Sequence, residues 1–218
     1  QAQVIRLDLP NHGQSPHSND ISYDLMADDV IELMADLNLQ QVDVIGHSIG
    51  GKVAMALAAC YPEKVRRLLV VDIAPKAYPD RHSDIFEALL ALDLSQFSKR
   101  SEVDLALANA IADKAIRQFL LMNLGLTDGQ LEWRINLQGL SEHYSQLLQP
   151  VCEGVVVEQL ALFLRGGLSN YIEQNDEVMI KQSFPNSDIT TVEQSGHWIH
   201  AERPELFLSH VKQFFDYD

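Results

Sequence analysis

Apolar residues recur along the chain with two different spacings. From Tyr23 to Leu37, YDLMADDVIELMADL, they fall three and four residues apart, which predicts an amphipathic helix. Shorter apolar runs between turn residues predict buried strands at Gln3–Leu7, Val42–Ile45, Leu68–Asp72, Leu160–Gly167 and Asp188–Val192. Further helices are predicted over Gly50–Cys60, which is rich in small residues and stops before Pro62, over Glu177–Ser183 and over Pro204–Phe215. The stretch PNHGQS, Pro10–Ser15, reads as a loop.

Strand, helix and strand in that order imply a parallel unit with a right-handed crossover. Between about Asp80 and Gln149 the pattern changes character. DIFEALLALDL, VDLALANAIA, KAIRQFLLMNL and LSEHYSQLL read as helices there, and LEWRINL is the one candidate strand. The expected fold class is α/β, a mostly parallel sheet flanked by helices. Residues 1–74 and 151–218 supply the core, and residues 75–150 are an inserted helical lid.

Composition narrows the field. With 218 residues the chain suits one domain with a self-sufficient core. Its 16 Lys+Arg against 31 Asp+Glu give a net charge of −15, which argues against nucleic-acid binding and gives no support for docking on anionic membranes. Cys60 and Cys152 form neither a disulfide framework nor a metal-ligand spacing, so free thiols and no bound metal are expected. No apolar stretch approaches the roughly 20 residues of a membrane span, and no signal-peptide pattern is present. A cytoplasmic location follows as the expectation.

The chemistry centres on VIGHSIGG, Val44–Gly51. In G-x-S-x-G a strand runs into a helix through a turn tight enough to strain the serine backbone and lift its hydroxyl above the sheet, with Gly46 and Gly50 relieving the crowding. Ser48 is therefore the expected nucleophile. Ile49 opens the following helix, so its N–H has no intrahelical acceptor and can meet a developing oxyanion. His47, the variable residue of the motif, is expected to pack or to line a pocket.

A nucleophilic serine needs a base titrating near neutrality. Of eight histidines, His197 in EQSGHWIHAERP follows a strand and a turn glycine and precedes the last helix, where a loop can hang an imidazole over the serine. His200 falls near the start of the next helix, where packing or capping is expected, and His12 is a candidate pocket residue.

Serine before histidine is the chain order of the α/β-hydrolase superfamily. LDLPNHGQS, VIGHSIGGKVAMALAACYPEKVRRLLVVDIAP, LFLRGGLSNYI and SGHWIHAERPELF, in order over the whole chain, resemble the YbfF-type bacterial esterases of that superfamily. The superfamily's usual acid position, on the loop GGLSNYIEQND, holds Ser169. The candidate acid is instead Asp72, which ends the strand LLVVD at the sheet end that carries Ser48. The resemblance implies the same placement, and a carboxylate ending an apolar run needs a partner. Ser169 becomes a neutral hydrogen-bonding member of the site or an ordinary turn serine, and Asp176 is the reserve acid.

The second oxyanion donor is expected upstream of Gln1, because the resemblance implies that this chain begins at the family's fourth strand. It also implies that the family's third strand pairs between Gln3–Leu7 and the nucleophile strand. The resulting expectation is a serine hydrolase that cleaves small carboxylic esters, or thioesters such as acyl-CoA, through an acyl-enzyme, with no metal or organic cofactor. Carbon–carbon bond hydrolysis or a related lyase on the same triad is an alternative, and so is a non-catalytic ligand-binding protein of the same fold. A haloalkane dehalogenase is disfavoured because the elbow carries Ser48 in place of an aspartate.

Overall fold

The computed structural model describes residues 3–216. In chain order the elements are helix α1 (Tyr23–Asp36), strand β1 (Val42–His47), helix α2 (Ile49–Cys60) and strand β2 (Val65–Val71). Helices α3 (Ser83–Leu90), α4 (Arg100–Leu107) and α5 (Lys114–Leu120) follow, then strands β3 (Leu124–Thr127) and β4 (Gln130–Trp133) and short helices α6 (Leu137–Glu142) and α7 (Tyr144–Leu147). The chain continues through β5 (Leu160–Gly166), α8 (Asp176–Ser183), β6 (Ser187–Val192), α9 (Ile199–Glu202) and α10 (Pro204–Phe215).

Two compact units result, one of Gln1–Ile5, Ser22–Tyr78 and Gln149–Asp218, the other of Arg6–Ile21 and Pro79–Leu148. The first holds a four-stranded sheet in the order β1-β2-β5-β6, with every pairing parallel. Its central strands β2 and β5 are largely buried on both faces, as parallel strands between helices are. Leu69, Val71, Leu162 and Leu164 point to the side where Val192, Ile199, Phe207 and Phe215 complete a core cluster. The alternate residues Leu68, Val70 and Phe163 are equally buried on the opposite face. Gly51 of α2 lies against Val70 there, and Phe163 meets Phe184 edge-on at 5.3 Å.

Helix α1 begins where Ser22 accepts a hydrogen bond from the Leu25 N–H, a cap worth about 1 kcal/mol. Helix α2 owes its place to small side chains. Residues 51–58 are all buried, which a helix achieves only when Gly and Ala let its backbone approach both the sheet and α1.

Gln3–Leu7 is not a buried strand. It has no regular secondary structure and is exposed throughout, with Val4 87% exposed. A short apolar run becomes a strand only beside a partner, and β1 pairs with β2 alone among the described residues. Ile45 on β1 is accordingly 47% exposed.

The second unit is built around Leu89, Val103, Leu107, Ile111, Leu121, Leu124 and Leu137. Here the expected helix over KAIRQFLLMNL stops at Leu120, and Leu124–Thr127 pairs antiparallel with Gln130–Trp133. Asp128 and Gly129 both take positive φ, 50° and 82°, as a two-residue hairpin turn of this kind requires. The Asp-Gly pair was the readable signal for this hairpin.

Candidate active site

All four strands of the sheet deliver one candidate residue at their C-terminal ends, where ligands bind in open parallel sheets. Ser48 follows β1, Asp72 follows β2, Ser169 lies in the loop after β5, and His197 in the loop after β6.

At Ser48 the chain passes from strand to helix with no intervening loop, and the serine backbone sits at φ 53°, ψ −120°. A side chain held there costs about 1–3 kcal/mol and persists because its neighbours enforce it. The Ser48 N–H donates to the Val71 carbonyl at 3.1 Å, while its own carbonyl accepts the N–H groups of Gly51 (2.8 Å) and Lys52 (3.1 Å). Ile49 is the first residue of α2, so helix geometry leaves its N–H without an intrahelical acceptor beside the Ser48 hydroxyl.

The crowding falls on a different glycine pair from the expected one. A Cβ on Gly46 would lie 2.2 Å from the Gly50 carbonyl oxygen, and one on Gly51 would lie 2.5 Å from Ile73 Cγ2. A Cβ on Gly50 would meet nothing within 4 Å. Gly46 and Gly51 therefore let the elbow close, and Gly50 does not.

Asp72, itself at φ 50°, is completely buried. Its carboxylate is satisfied on both oxygens. Oδ1 accepts the Gly166 N–H at 2.9 Å, and Oδ2 accepts Nδ1–H of His197 at 2.8 Å together with the Ser169 hydroxyl. Burying a carboxylate is tolerable only with such a set of donors. Ser169 in turn accepts the Tyr171 N–H at 3.2 Å.

The reserve acid is otherwise engaged. Asp176 binds Lys76 Nζ at 2.6 Å and the Glu173 N–H at 2.7 Å. It thus forms a largely buried ion pair that starts α8.

The His197 loop is held on several sides. Glu202 accepts the N–H groups of Gly196 (2.7 Å) and Trp198 (3.2 Å), the residues flanking the imidazole. The Tyr171 ring stacks on the imidazole with centroids 3.9 Å apart and 18° between planes. Gly166 lets the two loops meet, since a Cβ there would fall 2.2 Å from the Gly196 carbonyl. Gly166, Tyr171 and Glu202 carried no distinguishing signal in the sequence, because each acts through a partner brought in by the fold.

His47 packs its ring 4.6 Å from that of His197 and 4.9 Å from that of His200. Burial, helped by the His197 charge, lowers the His47 pKa to about 4. Burial also lowers that of His200, whose ring lies edge-on to Phe207. His12, in the second unit, bonds the Pro10 carbonyl through Nδ1 at 3.0 Å.

No group of His, Cys, Asp and Glu among the described residues could hold a metal ion. No helix among them is long and apolar enough to cross a membrane.

A strained serine at a strand-to-helix elbow, with a histidine–carboxylate pair at the ends of neighbouring parallel strands, defines the α/β-hydrolase class. Residues 1–210 match the alpha/beta hydrolase family, and the chain belongs to it. It is 37% identical to the sn-1-specific diacylglycerol lipase ABHD11 of Mus musculus, over 97% of this chain and 71% of that protein. It is 31% identical to esterase YbfF of Escherichia coli K12, over 98% of this chain and 81% of that protein. Among solved structures, a marine microorganism esterase superposes with a TM-score of 0.91 at 37% identity, covering 95% of this chain and 82% of the other.

Proposed function

We propose that this protein is a serine hydrolase of carboxylic esters and thioesters, acting through an acyl-enzyme. The observation that carries the reading is the buried Asp72 carboxylate bonded to Nδ1 of His197 at 2.8 Å, which leaves Nε2 of the same ring for the serine proton. The kinship with an esterase and a lipase supports it.

In this mechanism Ser48 Oγ attacks the substrate carbonyl carbon while His197 Nε2 takes the hydroxyl proton. The new alkoxide oxygen of the tetrahedral intermediate is met by the Ile49 N–H at the start of α2, where the helix dipole also favours negative charge. Asp72 stabilises the imidazolium, and Ser169 and the Gly166 N–H hold the carboxylate in place. His197 then gives its proton to the departing alkoxide or thiolate, leaving the acyl group on Ser48. Water, deprotonated by His197, attacks the acyl carbon. Collapse releases the acid and returns the proton to Ser48.

Residues 75–150 serve in this reading as the lid that selects the acyl group, since they are helix-rich and interrupt the sheet between β2 and β5 in sequence. The unbridged Cys60 and Cys152 support a reducing compartment such as the cytoplasm.

The test is labelling with a fluorophosphonate, followed by mapping of the adduct and a comparison of p-nitrophenyl esters with acyl-CoA thioesters. A single adduct on Ser48 with turnover of short esters is expected. An unlabelled Ser48 in protein that shows a cooperative melt refutes the reading, and ester turnover without thioester turnover removes the thioester half.

A further inference from the structure

We infer that His47 is a positioning residue that sets the distance between nucleophile and base, by holding the main chain of His197 from the elbow itself. The inference rests on the serine-hydrolase reading above. His47 is the last residue of β1 and is peptide-bonded to Ser48, and its Cα pairs with Val71 of β2. Its backbone position is therefore fixed by the sheet. From there its Nε2 reaches the carbonyl of His197, 150 residues further on, at 2.8 Å. A carbonyl only accepts, so Nε2 carries the hydrogen and donates.

The other bonds on the His197 loop show why such a link is needed. Glu202 grips the N–H groups of Gly196 and Trp198, and Arg203 Nε binds the Gln194 carbonyl at 3.1 Å. These join residues at most nine apart and shape the loop, and the Leu168 N–H, which donates to the Ser195 carbonyl at 2.8 Å, ties it to the turn after β5, but none of them reaches the elbow at β1. Asp72 orients the imidazole ring through Nδ1. The His47 bond adds a constraint on the peptide that carries the ring, and it starts one residue from the nucleophile.

Burial keeps the His47 ring neutral at ordinary pH, with a pKa of about 4. It can therefore sit 4.6 Å from His197 without opposing the imidazolium charge that forms there during turnover. A neutral ring with hydrogen on Nε2 must leave Nδ1 bare, which makes its tautomer an observable.

The experiment compares the parent with His47→Phe, which keeps a ring and loses the donor, and His47→Gln, whose amide can donate from a similar reach. For His47→Phe, kcat on p-nitrophenyl butyrate should fall about 10–100-fold, because an ångström of misplacement has that effect on a proton-transfer geometry. KM should stay within about twofold, and fluorophosphonate labelling should slow in parallel with kcat. His47→Gln should recover kcat to within about fivefold of the parent. Long-range 15N–1H NMR of the parent, which needs no variant to fold, should show His47 as the Nε2–H tautomer.

A His47→Phe protein with parental kcat overturns the inference, as does a His47→Gln protein as slow as His47→Phe. An Nδ1–H tautomer in the parent also overturns it. A parent that neither labels nor hydrolyses esters refutes the serine-hydrolase reading itself, which these outcomes leave standing.

Discussion

Replacing Asp72 by asparagine tests the site at its most constrained atom. The carboxylate receives three donors: the Gly166 N–H on Oδ1, and Nδ1–H of His197 with the Ser169 hydroxyl on Oδ2. An amide offers one acceptor end and one donor end, so neither orientation satisfies all three. With its oxygen toward Gly166, the NH2 faces His197, and the imidazole must move its hydrogen to Nε2, where it can no longer accept the serine proton. With its oxygen toward His197, the NH2 opposes the Gly166 N–H in a site that excludes water. Leaving buried donors unpaired costs about 1–3 kcal/mol, so at about 2 kcal/mol roughly one molecule in thirty holds a competent tautomer. Even that fraction has lost a charge-assisted bond to the imidazolium, about twice as strong as a neutral one, which removes a further one to two decades. The two factors together lower kcat by roughly 300–3,000-fold, with KM and urea midpoint far less affected. The upper end lies within about a decade of the roughly 10⁴-fold loss in the serine-protease template. Steady-state hydrolysis of p-nitrophenyl butyrate measures it. A loss under tenfold refutes the argument, and so does a comparable loss in Asp176→Asn with none in Asp72→Asn. Asp176→Asn, which breaks the pair with Lys76, is expected to lower stability and leave kcat within a few-fold.

Three further outcomes follow from the same geometry. At φ 53°, ψ −120°, Ser48→Gly relieves strain that Ser48→Ala retains, so its unfolding free energy in urea should exceed that of Ser48→Ala by about 0.5–2 kcal/mol, both proteins being inactive. Gly46→Ala should abolish labelling of Ser48 and lower the melting temperature, since its Cβ would fall 2.2 Å from a backbone oxygen, whereas Gly50→Ala should behave as the parent. Equal behaviour of the two glycine variants would contradict the steric account. Lys52 is 1% exposed, with Nζ on the Gln149 carbonyl and near the rings of Tyr23 and Tyr78, and burial lowers its pKa to about 8. Between about pH 8 and 10.4 the unfolded chain holds a proton that the folded chain has released, so this lysine makes stability rise with pH across that window. The Cys152 thiol, raised by burial to about 12, pulls the other way from about pH 8.5 upward. The difference in urea midpoint between the parent and Lys52→Met should therefore grow with pH from 8 to 10, and a flat difference would refute the assignment.

Much of this protein was legible in one dimension because the relevant physics is local. A three-and-four spacing is enough to make α1 amphipathic, and a serine between small residues at a strand-to-helix junction announces the elbow at Ser48. The order of strands and helices points to a parallel sheet, since such crossovers have few alternatives. Tertiary structure decided what depends on partners distant in sequence. The Gln3–Leu7 run has the composition of a strand but pairs in no ladder among the described residues, and it remains irregular and exposed. Asp72 and Asp176 are chemically alike in the sequence, and only the convergence of β2, β5 and β6 sets one against His197 and the other against Lys76. The roles of Ser169, Gly166, Tyr171 and His47 arise in the same way. Each is defined by a bond or a stack to a group on another strand or loop. Periodicity reports which face of an element is buried, whereas a site is a set of distances between elements, and those exist only once the chain has folded.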